Sequence, residues 1–182
     1  QADDDGDGIG DACDPVYCAV IDPSNPSACL DPSAAFTVSA GGSITLKSNE
    51  KLRLPLFANR NNVGISYTWT VTKRPGGSSA AVQNPIGVAS VSRHWAYAYP
   101  DGVGKPIFTP DAEGEYSIQL AATMVTPDPR YPGVRSSTAA LTVKVQGAAQ
   151  SSGGCTALPL GAPAAGLALA ALGLLARRRR RV

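Results

Sequence analysis

The chain has a single histidine, His94, among its 182 residues. Imidazole is the commonest general base and metal ligand at neutral pH, so one copy excludes most catalytic pairs and histidine-based metal sites. Aromatic residues make up only 6% of the chain and charged residues only 16%. Residues 34–147 also lack any ten-residue stretch with amphipathic helical spacing. These shortages point away from an enzyme and away from a helical domain.

Basic residues are missing from the first 46 positions, which carry eight aspartates. Residues 47–147 hold eleven basic and six acidic side chains, and five consecutive arginines stand near the end of the chain. The net charge of +2 therefore conceals three segments with different electrostatics. The arginine run follows an apolar segment, which makes it a poor surface for nucleic acid. We predict no nucleic-acid partner.

A chain of this length supports one ordinary domain with appendages. The composition predicts an Asp- and Cys-rich calcium segment over 1–33, a β-sandwich over 34–147, a linker over 148–155 and an apolar helix with basic residues over 156–182. The chain begins with Gln1 and shows no signal peptide, so we expect a fragment or a processed chain.

The acidic segment contains the run D-D-D-G-D-G-I-G-D-A-C-D over residues 3–14. On a twelve-position calcium loop, carboxylates fall at positions 1, 3, 5, 9 and 12, a carbonyl at 7 and a glycine at the sharp turn. The predicted calcium ligands are Asp3, Asp5, Asp7, the carbonyl of Ile9, Asp11 and Asp14. Alternate oxygens converging on one point suit Ca²⁺, and without a cation the carboxylates repel one another. The alternative is a disordered acidic linker.

The flanks of this run are rich in proline and cysteine, which leaves no room for the helices of an EF-hand or a dockerin. The run closely resembles one thrombospondin type 3 repeat, an Asp-rich array wrapped around calcium with a cysteine after its last acids. This resemblance covers residues 3–14 and implies calcium binding. Family members coordinate calcium across neighbouring repeats, whereas this chain shows one.

Cys13, Cys18 and Cys29 lie in a proline-rich stretch without helical pattern. Such a setting favours disulfides in an oxidising compartment. Zinc is the alternative, but there is no C-x-x-C pair and no nearby histidine. Together with Cys155, four cysteines allow three pairings.

From Phe36 onward, apolar and polar residues alternate with a period near two, and glycine, proline and asparagine separate the alternating segments. The clearest segments are 36–38, 44–46, 52–56, 65–71, 116–120 and 141–145. About seven or eight short strands in a domain of this size predict an immunoglobulin-like β-sandwich.

The same region resembles the PKD-like branch of this architecture. The resemblance rests on YTWTVTKRPGGSSAAV (67–82), on PIFTPDAEGEYSIQLAATMV (106–125), which carries an F-T-P-D-x-x-G-x-Y pattern, and on the final strand 137–145. It implies that Trp69 is buried between the sheets and that Tyr116 forms a tyrosine corner. Domains of this kind serve as spacer, adhesion and accessory substrate-binding modules.

Two stretches depart from the PKD-like pattern. Residues 88–105 lengthen the connection before the F-T-P-D pattern and place Trp95, Tyr97 and Tyr99 on one face of an alternating strand. This face is either an aromatic platform for an extracellular glycan or surface protein, or an extra strand packed on the core. The proline-rich loop 126–136 is either a contact surface or a stiff hairpin loop.

The end of the chain combines a small-residue linker, Cys155, an uncharged run over 157–176 and arginines over 177–181. Twenty helical residues reach about 30 Å, which is enough to cross a hydrocarbon core, and the arginines would stay on the cytoplasmic side. The pattern predicts a transmembrane helix with the preceding domain outside the inner membrane.

This tail resembles the myxobacterial sorting signal known as MYXO-CTERM over residues 152–182. The resemblance implies cleavage near Cys155 by a myxosortase-like intramembrane protease, a lipid on that cysteine and residence at the cell surface. The alternative is an ordinary single-pass anchor.

These features predict a non-enzymatic, calcium-binding surface protein used for adhesion, spacing or display. The alternative is the C-terminal accessory or carbohydrate-binding region of a larger secreted hydrolase. We expect calcium chelation to loosen residues 1–32 and to leave the melting of the sandwich unchanged.

Overall fold

The computed structural model describes residues 3, 8–10, 13–14, 17–102 and 104–147. The chain divides into two compact units, 1–150 and 151–182. The second unit lies outside the described residues, and so do the predicted linker, Cys155 and the apolar helix. Within the described ranges, no helix is long and apolar enough to span a bilayer.

The described chain is almost entirely β structure, as the alternating sequence predicts. Its only helical element is a 3₁₀ turn over Pro26–Ala28. The strands are β1 (Val38–Ser39), β2 (Ser43–Lys47), β3 (Leu52–Arg53), β4 (Phe57–Ala58), β5 (Ile65–Lys73), β6 (Val82–Gln83), β7 (Ile86–Ala89), β8 (Val91–Arg93), β9 (Ala96–Ala98), β10 (Ile107–Phe108), β11 (Gly114–Met124) and β12 (Ser136–Gln146).

One layer is a five-stranded sheet in the order β2-β12-β11-β5-β7. Neighbouring strands within this sheet run antiparallel, except that β2 runs parallel to β12. Burial alternates residue by residue along β5 and β11 because successive side chains point to opposite faces. The inner face carries Tyr67, Trp69 and Ile118, whereas threonines dominate the outer face of β5.

The opposite layer is interrupted. It consists of β1-β4-β9-β8 and β3-β10-β6, and the segment 52–58 passes through both. Each part continues for one residue toward the break: the Leu54 N–H donates to the Pro106 carbonyl (3.1 Å) beside β3 and β10, and the Tyr97 N–H donates to the Leu56 carbonyl (2.8 Å) beside β4 and β9. Pro55 lies at the break, where a missing N–H removes one ladder bond.

The core between the layers contains the residues that the sequence marks as structural. Trp69 is 2% exposed, and the Phe108 and Tyr116 rings pack edge to face with centroids 5.1 Å apart. The Tyr116 hydroxyl oxygen accepts a hydrogen bond from the Ala112 N–H (3.0 Å), and the hydroxyl donates one to the Ala112 carbonyl (3.0 Å). This confirms the predicted tyrosine corner and an immunoglobulin-like sandwich.

Asp111 joins the tyrosine corner to the loop after β5. Its carboxylate accepts hydrogen bonds from the Ser78 hydroxyl (2.5 Å), the Ser79 N–H (2.8 Å) and the Tyr116 hydroxyl (3.1 Å). Hydrogen bonds from Ser78 and Ser79 hold the pKa of Asp111 well below its usual range, because they stabilise the charged form.

Candidate functional site

Residues 17–33, at the end of the acidic segment, pack against the sandwich. The Cys18–Cys29 disulfide closes this stretch, and Ala19 and Leu30 pair next to it through two backbone hydrogen bonds of 3.0 and 2.8 Å. Both of these apolar residues are buried. Two of the three predicted disulfide cysteines therefore pair with each other, and Cys13 lies exposed before them.

A cluster of three polar side chains, which we call the polar clamp, holds this segment; it consists of Asn59, Arg60 and Asp128. Asn59 follows β4 and is fully buried. Its side-chain oxygen accepts the Thr37 N–H (2.9 Å), and its amide donates to the carbonyls of Asp31 (2.7 Å) and Ala35 (2.8 Å). The Asn59 side chain therefore supplies hydrogen-bond partners for three backbone groups of the segment 31–37.

Arg60 completes the polar clamp. Its Nε and one terminal nitrogen both lie 2.6 Å from the Asp128 carboxylate, and its terminal nitrogens also donate to the carbonyls of Pro32 (3.0 Å) and Ala34 (2.7 Å). Burial raises the pKa of Asp128, but hydrogen bonds from the Arg130 N–H and from Arg60 outweigh it and hold the pKa below its usual value. The hydrogen bonds between Arg60 and Asp128 are charge-assisted, and the two contacts together fix the orientation of the guanidinium.

The loop 126–136 contributes Asp128 to the inside of the protein rather than to a contact surface. The Asp128 side chain is 4% exposed. Farther along this loop, the Tyr131 hydroxyl donates to the Ser33 carbonyl (2.8 Å). The stiff-loop alternative therefore describes Asp128 better, and the loop also contacts the N-terminal segment at Ser33.

Part of the predicted calcium loop is described. The Asp3 carboxylate accepts the Gly8 N–H (3.1 Å), and Gly8 has φ +91°, a backbone conformation that residues with a side chain rarely adopt. These residues occupy positions 1 and 6 of the predicted loop. The Gly10 carbonyl then accepts the N–H groups of Cys13 (2.7 Å) and Asp14 (3.2 Å). The calcium loop itself stays a prediction.

The remaining ligand positions are described only in part. Ile9, whose carbonyl is a predicted ligand, has a 45% exposed side chain. The predicted ligands Asp5, Asp7 and Asp11 lie outside the described residues. Among the residues that are described, no three metal-ligating side chains come together.

The three predicted platform aromatics do not share one face. Tyr97 and Tyr99 are buried, and their hydroxyls donate to the carbonyls of Arg60 (2.8 Å) and Leu54 (2.8 Å). Burial raises the pKa of Tyr99 well above its usual range. Both tyrosines follow the core-packing alternative, so the three rings do not form one exposed platform.

Trp95 departs from the others because the strand turns at this point. His94 (φ 47°) and Trp95 (φ 64°) are the two central residues of the hairpin between β8 and β9. Positive φ at both positions suits Asn-Gly far better than two bulky side chains. The conformation is held by the Asn61 side chain, which accepts the Trp95 N–H (3.1 Å), and by the Trp95 carbonyl, which accepts the Ala58 N–H (3.1 Å).

This turn brings Trp95 against Tyr17. The two rings are tilted, with centroids 5.9 Å apart, and the Trp95 indole N–H donates to the Tyr17 hydroxyl (3.3 Å). Both side chains are half-buried. Together they form a partly exposed aromatic pair where the disulfide-closed segment meets the sandwich.

Sequence reasoning missed Tyr17 and the polar clamp. A polar pair directly after a strand, as at Asn59-Arg60, is common in turns, and nothing local indicates that the partner is Asp128. The turn at His94-Trp95 has no glycine, proline or asparagine at its centre, so the alternating pattern continues through it without a break.

No family model and no curated protein matches this chain. Among solved structures, it is similar to the third ScaB cohesin of R. flavefaciens, which was solved in complex with a group 1 dockerin. The two chains are 10% identical, and the match covers 63% of this chain and 97% of the cohesin chain, with a TM-score of 0.34. It is also similar to a chain from a study of fibronectin binding and biofilm formation by AAF fimbriae of enteroaggregative Escherichia coli, at 17% identity over 61% of this chain and 98% of that one, with a TM-score of 0.25. Likenesses of this size assign no ligand or partner to the present chain.

Proposed function

We propose that this chain is a non-enzymatic module of the cell exterior, in which a calcium-stiffened N-terminal segment is fixed to a PKD-like sandwich for spacing, display or adhesion. The polar clamp carries this proposal. Because Asn59 and Arg60 hold the backbone of residues 31–35, the segment that follows the predicted calcium loop cannot swing as a loose linker. A spacer needs such a joint to keep the orientation of what it presents.

In this proposal the acidic residues bind Ca²⁺ through one thrombospondin type 3-like unit. The ligands would be the carboxylates and the carbonyl identified from the sequence: Asp3, Asp5, Asp7, Ile9, Asp11 and Asp14. The hydrogen bond from the Gly8 N–H to the Asp3 carboxylate supports this assignment. The ion would cancel carboxylate charge that otherwise opposes a compact head.

The proposal also assigns export and surface attachment to the chain. The Cys18–Cys29 disulfide supports an oxidising compartment outside the cytoplasm. The proposed route uses the C-terminal apolar segment as a membrane signal and a myxosortase-like protease near Cys155. In that route Cys155 carries a lipid that holds the mature protein at the outer cell surface.

Calcium chelation should affect residues 3–14 and spare the rest. The sequence alone predicts loosening as far as residue 32, but the disulfide and the polar clamp hold residues 17–33 without any metal. Hydrogen exchange with and without a chelator should therefore show lost protection only before Tyr17. The Tm of the sandwich should stay the same in both conditions.

Isothermal calorimetry gives the matching binding measurement. Asp7→Asn should abolish calcium uptake, whereas Asp22→Asn, a neutralised aspartate outside the loop, should leave it unchanged. An unchanged heat signal on adding calcium to the original chain would refute the calcium part of the proposal.

A carbohydrate-binding accessory region of a larger secreted hydrolase is the second candidate, and the Tyr17–Trp95 pair favours it. Half-buried aromatic rings offer an apolar face to a sugar, and their polar atoms hold the rings in place. This site replaces the three-ring platform, since Tyr97 and Tyr99 are buried.

Trp95→Ala should weaken the binding of any glycan that an array identifies by about fivefold, because a stacked ring contributes about 1 kcal/mol. Trp95→Phe should retain part of the affinity. Val125→Ala, at an exposed apolar residue outside the pair, provides the control. Binding that is unaffected by Trp95→Ala would exclude a role for this aromatic pair.

A further inference from the structure

Strand β7 forms an open edge of the five-stranded sheet. It pairs with β5 on one side, and no strand of the described chain pairs with its other side. The Trp69 N–H donates to the Pro85 carbonyl (2.8 Å), and in this register Gly87 and Ala89 also face β5. Because hydrogen-bonding direction alternates along an antiparallel strand, the N–H and C=O groups of Ile86 and Val88 point away from the sheet.

The residues with outward backbone groups also have exposed apolar side chains. Ile86 is 67% exposed and Val88 is 50% exposed, whereas Ala89 is fully buried. Edge strands are ordinarily protected by lysine, by a bulge or by a proline at an outward position. Here Pro85 occupies an inward position, where its missing N–H would have faced β5, so it leaves the outer row of donors intact.

Charge is absent from β7 and from the chain on either side of it. The 18 consecutive residues from Pro75 to Ser92 contain no acidic or basic side chain. The neighbouring outer face of β5 carries Ser66, Thr68 and Thr70. The opposite edge of the same sheet, β2, includes Lys47. A twofold contact joins the same edge of two identical molecules, so any charge on that edge comes close to the same charge on the other copy. An edge without charged side chains avoids this repulsion.

We propose that β7 pairs with β7 of a second copy of this chain around a twofold axis. In this register Gly87 lies opposite Gly87 of the second copy, and Ile86 lies opposite Val88 in both directions. Each Ile86–Val88 pair exchanges two backbone hydrogen bonds, and its apolar side chains meet on one face. The two five-stranded sheets then form one continuous sheet.

Glycine suits the centre of this pairing. The central residues form a non-hydrogen-bonded pair, which has the shortest Cα–Cα separation in an antiparallel ladder, about 4.5 Å. A Cβ at Gly87 would collide with the Tyr67 hydroxyl oxygen, so the fold itself requires the small residue. With glycine at position 87, the exposed apolar side chains of β7 are those of Ile86 and Val88. In the proposed register these two residues lie opposite each other across the twofold axis.

Sedimentation equilibrium of the full chain tests the proposal between about 1 µM and 1 mM, the range of weak to moderate association. The original chain should form dimers, and Val88→Lys should raise the dissociation constant at least tenfold. Val125→Lys is the matched control, because Val125 is 53% exposed but lies outside β7; it should leave association unchanged. Near-ultraviolet circular dichroism should show the same fold for all three chains.

The register has a test of its own. Mixing the Val88→Lys and Ile86→Glu variants places the introduced lysine of one chain opposite the introduced glutamate of the other and restores association, although each variant alone associates at least tenfold more weakly than the original chain. Amide exchange should show that the Ile86 and Val88 N–H groups become protected as concentration rises, while Gly87 is protected throughout. A chain that remains monomeric to about 1 mM, or a Val88→Lys variant that associates as tightly as the original, would overturn the proposal. Failure of the mixture to associate would overturn the register.

Discussion

Replacing Asp128 with asparagine should lower the Tm of the sandwich by about 10–20 °C. The change removes the negative partner and leaves the Arg60 guanidinium enclosed by protein without a counter-charge, which is a far larger penalty than the loss of an exposed ion pair. The carbonyls of Pro32 and Ala34 alone cannot neutralise it. Differential scanning calorimetry measures the change directly.

Two controls separate this effect from general sensitivity. Glu115→Gln breaks the Lys73–Glu115 pair, whose side chains are 63% and 46% exposed, and should shift the Tm by only a few degrees. The double variant Arg60→Met/Asp128→Leu removes both charges together and should recover part of the stability. If Asp128→Asn melted within about 3 °C of the original chain, the Arg60–Asp128 pair would not be what holds the N-terminal segment.

The polar clamp also predicts the direction of the pH dependence. The folded-state pKa of Asp128 lies below its unfolded value of about 4, so its contribution to stability is fully present above that value. It is lost as the pH falls through the depressed pKa. Asp111 acts in the same direction. Urea unfolding between pH 7 and pH 2 should therefore show falling stability on the acid side, and Asp128→Asn should flatten part of that slope.

Removing the disulfide should release the N-terminal segment without unfolding the sandwich. A bond that closes an 11-residue separation stabilises the closed form by about 3 kcal/mol through the chain entropy of the open form. In Cys18→Ser/Cys29→Ser we expect Leu30 to leave its buried position in a measurable fraction of molecules. Hydrogen exchange over residues 17–30 should increase by about two orders of magnitude, while β5 and β11 retain their protection.

Trp95 fluorescence provides a second measurement of the same event, because the Trp95 indole donates to Tyr17, directly before the disulfide. A reductant should change the emission of the original chain but not that of the double serine variant. Unchanged exchange over residues 17–30 after reduction would show that the polar clamp alone holds the segment.

The disulfide and the polar clamp act on different parts of one joint. The disulfide shortens the segment before Leu30, and the side chains of Asn59 and Arg60 bind the backbone just after it. Backbone carbonyls of an irregular segment need partners when they are buried, and here side chains supply them. The proposed calcium loop would then extend from a support that is already fixed.

Several parts of the fold follow from the sequence because they are local. Alternation along 65–71 and 116–120 identifies the strands and their buried faces, since the two faces of a strand differ at every residue. The resemblance to PKD-like domains implies that Trp69 lies in the core and that Tyr116 forms the corner, and the structure agrees at both positions. The cysteine-rich stretch predicts a disulfide, although only the structure pairs Cys18 with Cys29.

Tertiary structure alone decided the features that depend on distant partners. Arg60 and Asp128 are 68 residues apart, and no local pattern indicates that the two charges meet in a buried site. Trp95 leaves the face of Tyr97 because Asn61 and Ala58 stabilise a turn that the residues of the turn do not encode. The sequence by itself determined which face of β5 and of β11 is buried, because successive side chains of a strand alternate between its faces. The contacts between strands determined which exposed groups form the joint and which edge remains open, because those contacts bring together residues that the chain separates.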